Sequence, residues 1–295
     1  MMAQSSSPDL RPALWQRVPL AIRAVAIGLL VMGVGVQPWN AVAMFALRAG
    51  QAAIPLVAGP VILVVYWLFF SGARLGRGFG IWPATQEARR ENFRETSLSP
   101  ARWGWGLAGG LLFVVVFQSS VFTVFRLFPY PAAQFTPPQY VAEIPPAFRW
   151  PYVVLASLVA GICEETGFRG YMQRPLEARY GAVPAIAITT LFFVGVHLDQ
   201  AWIGALCEPA IVASVLLCLL AYAARSLIPS MIGHAVMDVF NFGYWWWQLR
   251  GHYDKRPIFE TGIDANFVAW AGTLAISLSL FPLVIRKLCH ASTGG

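Results

Sequence analysis

Charge is what this sequence has least of. Only 12% of its 295 residues are charged, against 57% hydrophobic, whereas soluble domains carry about 25% charged residues. Lysine occurs only at Lys255 and Lys287. So little polar surface excludes a water-facing domain and leaves a chain solvated by lipid. Paired cysteines are also missing: Cys163, Cys207, Cys218 and Cys289 are scattered, with no C-x-x-C. That excludes a disulfide framework or a zinc knuckle and reads the four as small buried hydrophobes. No glycine-rich phosphate loop, internal repeat or second domain is visible. The net charge of +7 needs no nucleic acid to account for it, because loop arginines that set membrane topology and face lipid headgroups suffice.

Apolar runs are what is present. About 20 such residues cross a bilayer core of ~30 Å, and runs of that order lie at about 18–36, 52–71, 103–128, 152–176, 183–198, 209–224, 228–249 and 267–285. They predict an all-α, polytopic membrane bundle of about eight transmembrane helices, a single domain over 17–288. A disordered tail, 1–16, precedes it and a short tail, 289–295, follows. Asn40-Ala41-Val42-Ala43 resembles a signal-peptidase site, but the length of the first run and Arg23 near its start favour an uncleaved helix. The loop from Arg74 to Arg102 holds Arg74, Arg77, Arg89, Arg90, Arg94 and Arg102, partly offset by Glu87, Glu91 and Glu95. Eight spans put both termini on one side, and the basic loops make that side cytoplasmic. Trp103, Trp105 and the run Tyr244–Trp247 read as interfacial belts. Abundant Arg, Ala, Gly and Pro point to a GC-rich bacterial coding background, hence to an inner membrane.

Three spans carry groups that lipid-facing helices avoid. The fourth has Glu164, Glu165 and Arg169, the fifth Phe193 and His197, and the seventh His234, Asp238 and Asn241. An ionised group at bilayer depth costs roughly 2.5–3.5 kcal/mol on insertion scales, so such groups face a polar cavity and a partner. Glu165 and Arg169 are four apart on one helical face and are predicted to pair. Glu164 points about 100° away, leaving it free for work. If the fourth and fifth spans turn near Tyr180-Gly181, Glu164 and His197 lie level. His234 joins them only if the fourth span projects beyond the bilayer.

Two histidines and a glutamate allow hydrolysis in two ways. A divalent metal, such as zinc, held by Glu164, His197 and His234 would leave a position for water and lower its pKa. Without metal, Glu164 would activate water directly and the imidazoles would hydrogen-bond the oxyanion. Asp238, one turn from His234, is placed to orient that ring. Cys163 as a nucleophile is the weakest option, and His252 and His290 fall in a loop and a tail.

The set Glu164-Glu165-x-x-x-Arg169, Phe193-x-x-x-His197 and His234-x-x-x-Asp238 resembles the CPBP family. These are the CAAX-protease and bacteriocin-processing (Abi) intramembrane proteases that include Rce1-type prenyl endopeptidases. The likeness covers about Tyr152–Asn241, within a motif core of 152–243. It implies an intramembrane endopeptidase, usually called a metalloprotease, in which Glu164 activates water and Glu165 pairs with Arg169. His197, His234 and Asp238 complete the site. Its partners would be membrane lipids and a peptide or membrane-protein substrate, with or without a prenyl group. Two other classes compete: a catalytically silent scaffold or immunity protein, and a proton-coupled transporter, the latter weakened by the lack of an inverted repeat.

Overall fold

A computed structural model describes Trp15 and residues 17–72, 85–94, 97–128, 139–198, 204–245 and 256–293. The predicted N-terminal tail apart from Trp15, the side chains of the aromatic run at 244–247, Cys207 and His252 lie outside the described residues. The described chain is helical throughout: α1 Leu20–Arg48, α2 Ala53–Phe70, α3 Gln86–Phe93, α4 Pro100–Leu127, α5 Pro146–Glu165, a π-helical segment Thr166–Met172, α6 Gln173–Tyr180, α7 Ala182–Val196, α8 Gly204–Ala224, α9 Ile228–Trp245 and α10 Ala265–Thr293.

Local chemistry sets several of these ends. Ser99 caps α4 by accepting from the Arg102 amide at 3.4 Å, with Pro100 in the first turn, where its missing N–H costs nothing. Thr85 caps α3 by accepting from the Ala88 amide at 3.1 Å. Gly181, at φ 84°, makes the sharp turn between α6 and α7. Two arginines follow helix ends in the same left-handed region, Arg94 at φ 55° after α3 and Arg225 at φ 49° after α8. That conformation costs a non-glycine residue roughly 1–2 kcal/mol.

Among the described residues five helices are long and apolar enough to cross a membrane: α1, α2, α4, the continuous helix Pro146–Tyr180, and α10. The eight predicted apolar helices are all present, but three fall short of that standard. The fifth has 15 residues, Ala182–Val196, and the apolar part of the sixth is Pro209–Ala224. The seventh, α9, is diluted by His234, Asp238 and Asn241. The fifth buries only Ala185, Thr189, Thr190 and Phe193 and leaves Val183 and Leu191 exposed. Two boundaries also move. Helix α1 runs unbroken through Asn40–Ala43, with Ala43 buried, and α10 continues to Thr293, through most of the predicted C-terminal tail.

Packing places the fourth span at the centre. Its α5 part lies against α9, and its π segment lies against α1. Glycines make both contacts possible. A Cβ on Gly161 would stand 2.9 Å from the Met231 carbonyl oxygen, and one on Gly167 would stand 2.6 Å from that of Gly28. At one end of the bundle the fully buried Arg126 ties α4 to the start of α10, through Asp264 at 2.6 Å and Thr261 at 2.8 Å.

Candidate active site

The first motif falls where the fourth span changes its winding. Glu164 and Glu165 end α5, and Arg169 lies in the π segment. The Thr166 hydroxyl donates to the Ile162 carbonyl at 2.6 Å, competing for an acceptor that a regular helix reserves for its amides. Gly167 and Gly170 flank the turn and lower its helical preference. Such widened turns concentrate at functional sites. Here the turn lets residues 166–172 press on α1 while Glu165 and Arg169 face inward.

Two layers of polar groups result. In the inner one Arg169 Nη1 donates to Glu165 Oε1 at 3.0 Å, and neither side chain is exposed. The pair predicted from the four-residue spacing is present. The same oxygen accepts from His234 Nδ1 at 2.8 Å, so Glu165 joins a helix it does not belong to. His234 Nε2 lies 3.6 Å from Asp238 Oδ2, beyond hydrogen-bond length, so Glu165 rather than Asp238 fixes the ring. Arg169 Nη2 donates to both the carbonyl and the hydroxyl of Ser214 on α8, each at 3.3 Å. Its guanidinium also stands 4.5 Å from the centre of the Phe193 ring, which gives the aromatic member of the second motif a role in holding the cation.

The outer layer is Glu164 and His197. Their side chains are 14% and 25% exposed, and Glu164 Oε2 lies 3.8 Å from His197 Nε2. That gap is too long for a direct hydrogen bond, and Glu164 Oε2 itself is buried without a hydrogen-bond partner, a carboxylate oxygen that a water admitted to the site would satisfy. His197 ends α7, and its Nδ1 lies 2.7 Å from the Phe193 carbonyl. A carbonyl only accepts, so Nδ1 carries the proton and Nε2 of the neutral ring is a lone pair. In that tautomer the Nε2 lone pair faces the Glu164 carboxyl group. Glu164 and His197 meet level, as the turn at Gly181 predicts. The two layers touch through Phe193, whose ring centre is 4.6 Å from that of His197 and 6.3 Å from that of His234.

Three contributors were not singled out from the sequence. Ser214 sits in an otherwise apolar run. Gln118 on α4 donates to Asn241 Oδ1 at 2.9 Å, and Arg94 donates its Nε–H to the Arg169 carbonyl at 3.0 Å. A lone glutamine in an apolar span was a legible signal; Ser214 and Arg94 left none. Cys163 is fully buried and faces the Gly35 position of α1, away from the two layers. His290 bonds the Arg286 carbonyl in α10 at 2.6 Å and stays outside the site.

Glu164, His197 and His234 are the residues that would hold a metal, although as placed no three His, Cys, Asp or Glu side chains among the described residues gather round one point. His234 Nδ1 is held by Glu165 and His197 Nδ1 by a carbonyl, which leaves each Nε2 as the nitrogen that would ligate.

With this geometry in view, residues 146–240 match the family model described as type II CAAX prenyl endopeptidase Rce1-like. That segment, about a third of the chain, is similar to Rce1-like endopeptidases. The match falls on the three motif-bearing helices and agrees with the CAAX-protease resemblance of the motifs. Five helices long and apolar enough to cross a membrane accompany that similarity. No curated protein and no solved structure matches the chain.

Proposed function

We propose that the chain is an endopeptidase that hydrolyses a peptide bond of a membrane-associated protein or peptide with a water activated by Glu164. The observation that carries this reading is the partly exposed Glu164–His197 pair, 3.8 Å apart, beside a buried Arg169–Glu165–His234 network. Water donates one proton towards Glu164 and one towards His197 Nε2. Glu164 takes its proton as the oxygen adds to the scissile carbonyl carbon. His234, held through Nδ1 by Glu165, stabilises the oxyanion by donating Nε2–H as the imidazolium, while His197 Nε2 only accepts from the water. Collapse breaks the C–N bond, and Glu164 returns the proton to the leaving amine. Glu165, Arg169 and Ser214 position His234 and Phe193 and touch no substrate.

Basic residues support an inner-membrane orientation with the termini cytoplasmic. Arg94, Arg102, Arg174 and Arg225 gather where α3, α6, the start of α4 and the end of α8 meet. The substrate need not be prenylated, since the site chemistry requires only an accessible peptide bond.

The test is cleavage of a quenched peptide library by the protein in lipid nanodiscs. Turnover by the wild type that disappears in Glu164→Gln supports the reading. A variant as active as the wild type removes Glu164 as base. Peptide binding without turnover by either protein would make the chain a scaffold.

A further inference from the structure

A second polar feature lies away from these residues. A cavity of about 630 Å³ opens where α3, α6, the end of α8 and the last turns of α10 meet. Its wall carries Arg90, Arg94, Arg174 and Arg225 against Glu91 and Glu177, so positive charge is in surplus by two. Two cross-links hold the wall in shape: Arg94 to Glu177 at 2.7 Å and Arg174 to Glu91 at 3.1 Å. Burial lowers the pKa of the Arg94 guanidinium, with Glu177 opposing that shift.

Backbone conformation singles out the same place. Among the described residues Arg94 and Arg225 are the non-glycine positions with positive φ, and both line the cavity. Glycine is the residue that helix ends of this shape normally use. An arginine there accepts strain in order to place a guanidinium, and strained residues of this sort cluster at binding sites.

We propose that this cavity binds the phosphate-bearing headgroup of an anionic phospholipid. Guanidinium forks match phosphate oxygens in pairs, and a net positive wall attracts anions. The setting favours a lipid over a soluble anion. Trp103 and Trp105 are exposed one turn into α4, where indoles mark the headgroup level, and Tyr222 lines the cavity. Along the same ends of α4 and α10 runs an apolar groove bordered by Trp105, Leu283 and Lys287, suited to an acyl chain. Arg94 also links the cavity to the motif helix, because its Nε–H holds the Arg169 carbonyl. The proposal stands apart from the hydrolytic reading.

The full chain in neutral detergent is titrated with short-chain phosphatidylglycerol, short-chain phosphatidylcholine and inorganic phosphate, with thermophoresis as readout. Phosphatidylglycerol is expected to bind saturably, and phosphatidylcholine at least tenfold more weakly. Arg225→Gly combined with Arg90→Gln is expected to weaken phosphatidylglycerol at least tenfold while the melting temperature holds or rises, since glycine relieves the left-handed turn. Arg90→Gln alone, at an exposed position, should show a smaller loss. Equal affinity of both variants and wild type overturns the proposal, as does equal affinity for the two lipids. Inorganic phosphate binding as tightly as phosphatidylglycerol makes the cavity a soluble-anion site and overturns the lipid assignment.

Discussion

Glu165 Oε1 accepts from His234 Nδ1 at 2.8 Å while it is also bound by Arg169. One buried oxygen thus ties two motifs, 69 residues apart in the chain, to a single cation. Removing the carboxylate leaves Arg169 buried beside Ser214 without its counter-charge, and breaking such a pair costs about 3–5 kcal/mol. Glu165→Gln is expected to lower the thermal midpoint markedly in detergent, and to lose activity in proportion to misfolding as well as to chemistry.

Glu164→Gln should behave in the opposite way. Its side chain is 14% exposed and its buried Oε2 has no hydrogen bond within the protein, so no stabilising bond at that oxygen is lost. Loss of a general base lowers turnover roughly 10²–10⁴-fold. Unfolding curves that superimpose on the wild type, together with a collapsed kcat, are the expected pair of results.

The two histidines separate in the same manner. His197→Ala trims a side chain that is 25% exposed and should lower kcat with a stability change of about 1 kcal/mol or less. His234→Ala removes a buried partner of Glu165, and an unsatisfied buried polar group costs about 1–3 kcal/mol, more when it is charged. Equal melting temperatures for the two variants would contradict the layered arrangement.

Because the proposed mechanism has Glu164 activate water directly, turnover is expected to survive prolonged chelation and dialysis. Metal analysis of active protein checks this directly. Activity that vanishes with chelator and returns in proportion to added zinc would transfer Glu164, His197 and His234 to the ligand role.

Close approach makes the last prediction. A methyl group at Gly167 meets the Gly28 carbonyl at 2.6 Å and the Met32 side chain at 2.7 Å. Backbone cannot yield as a flexible side chain does, so Gly167→Ala should cost about 1–3 kcal/mol and shift α1. Thermal unfolding measures the cost, and Gly33→Ala, which meets nothing within 4 Å, is the control.

The sequence exposes acids and imidazoles in greasy helices because such residues are rare there, and a four-residue spacing is enough to pair Glu165 with Arg169. The level meeting of Glu164 and His197 also follows from counting back to Gly181. Spacing says nothing of which helix neighbours which. The reach of Glu165 to His234, and the grip of Ser214 on Arg169, depend on packing of α8 and α9 against α5. The π segment was hidden as well, since Thr166 and two glycines read equally well as ordinary helix. Span counting saw every apolar run but could not tell a 15-residue helix from one long enough to cross.

The widened turn at 166–172 has a consequence for tolerance to change. A π turn holds one residue more than an α turn, so everything after it is rotated by about 100° relative to an uninterrupted helix. Deleting a single residue there would rewind the segment into regular geometry without shortening any span appreciably. The polar extension Gln173–Tyr180 could keep its contacts only by unscrewing Arg169 from its carboxylate. A one-residue deletion, which most membrane helices absorb at their ends, would here disconnect the two halves of the motif.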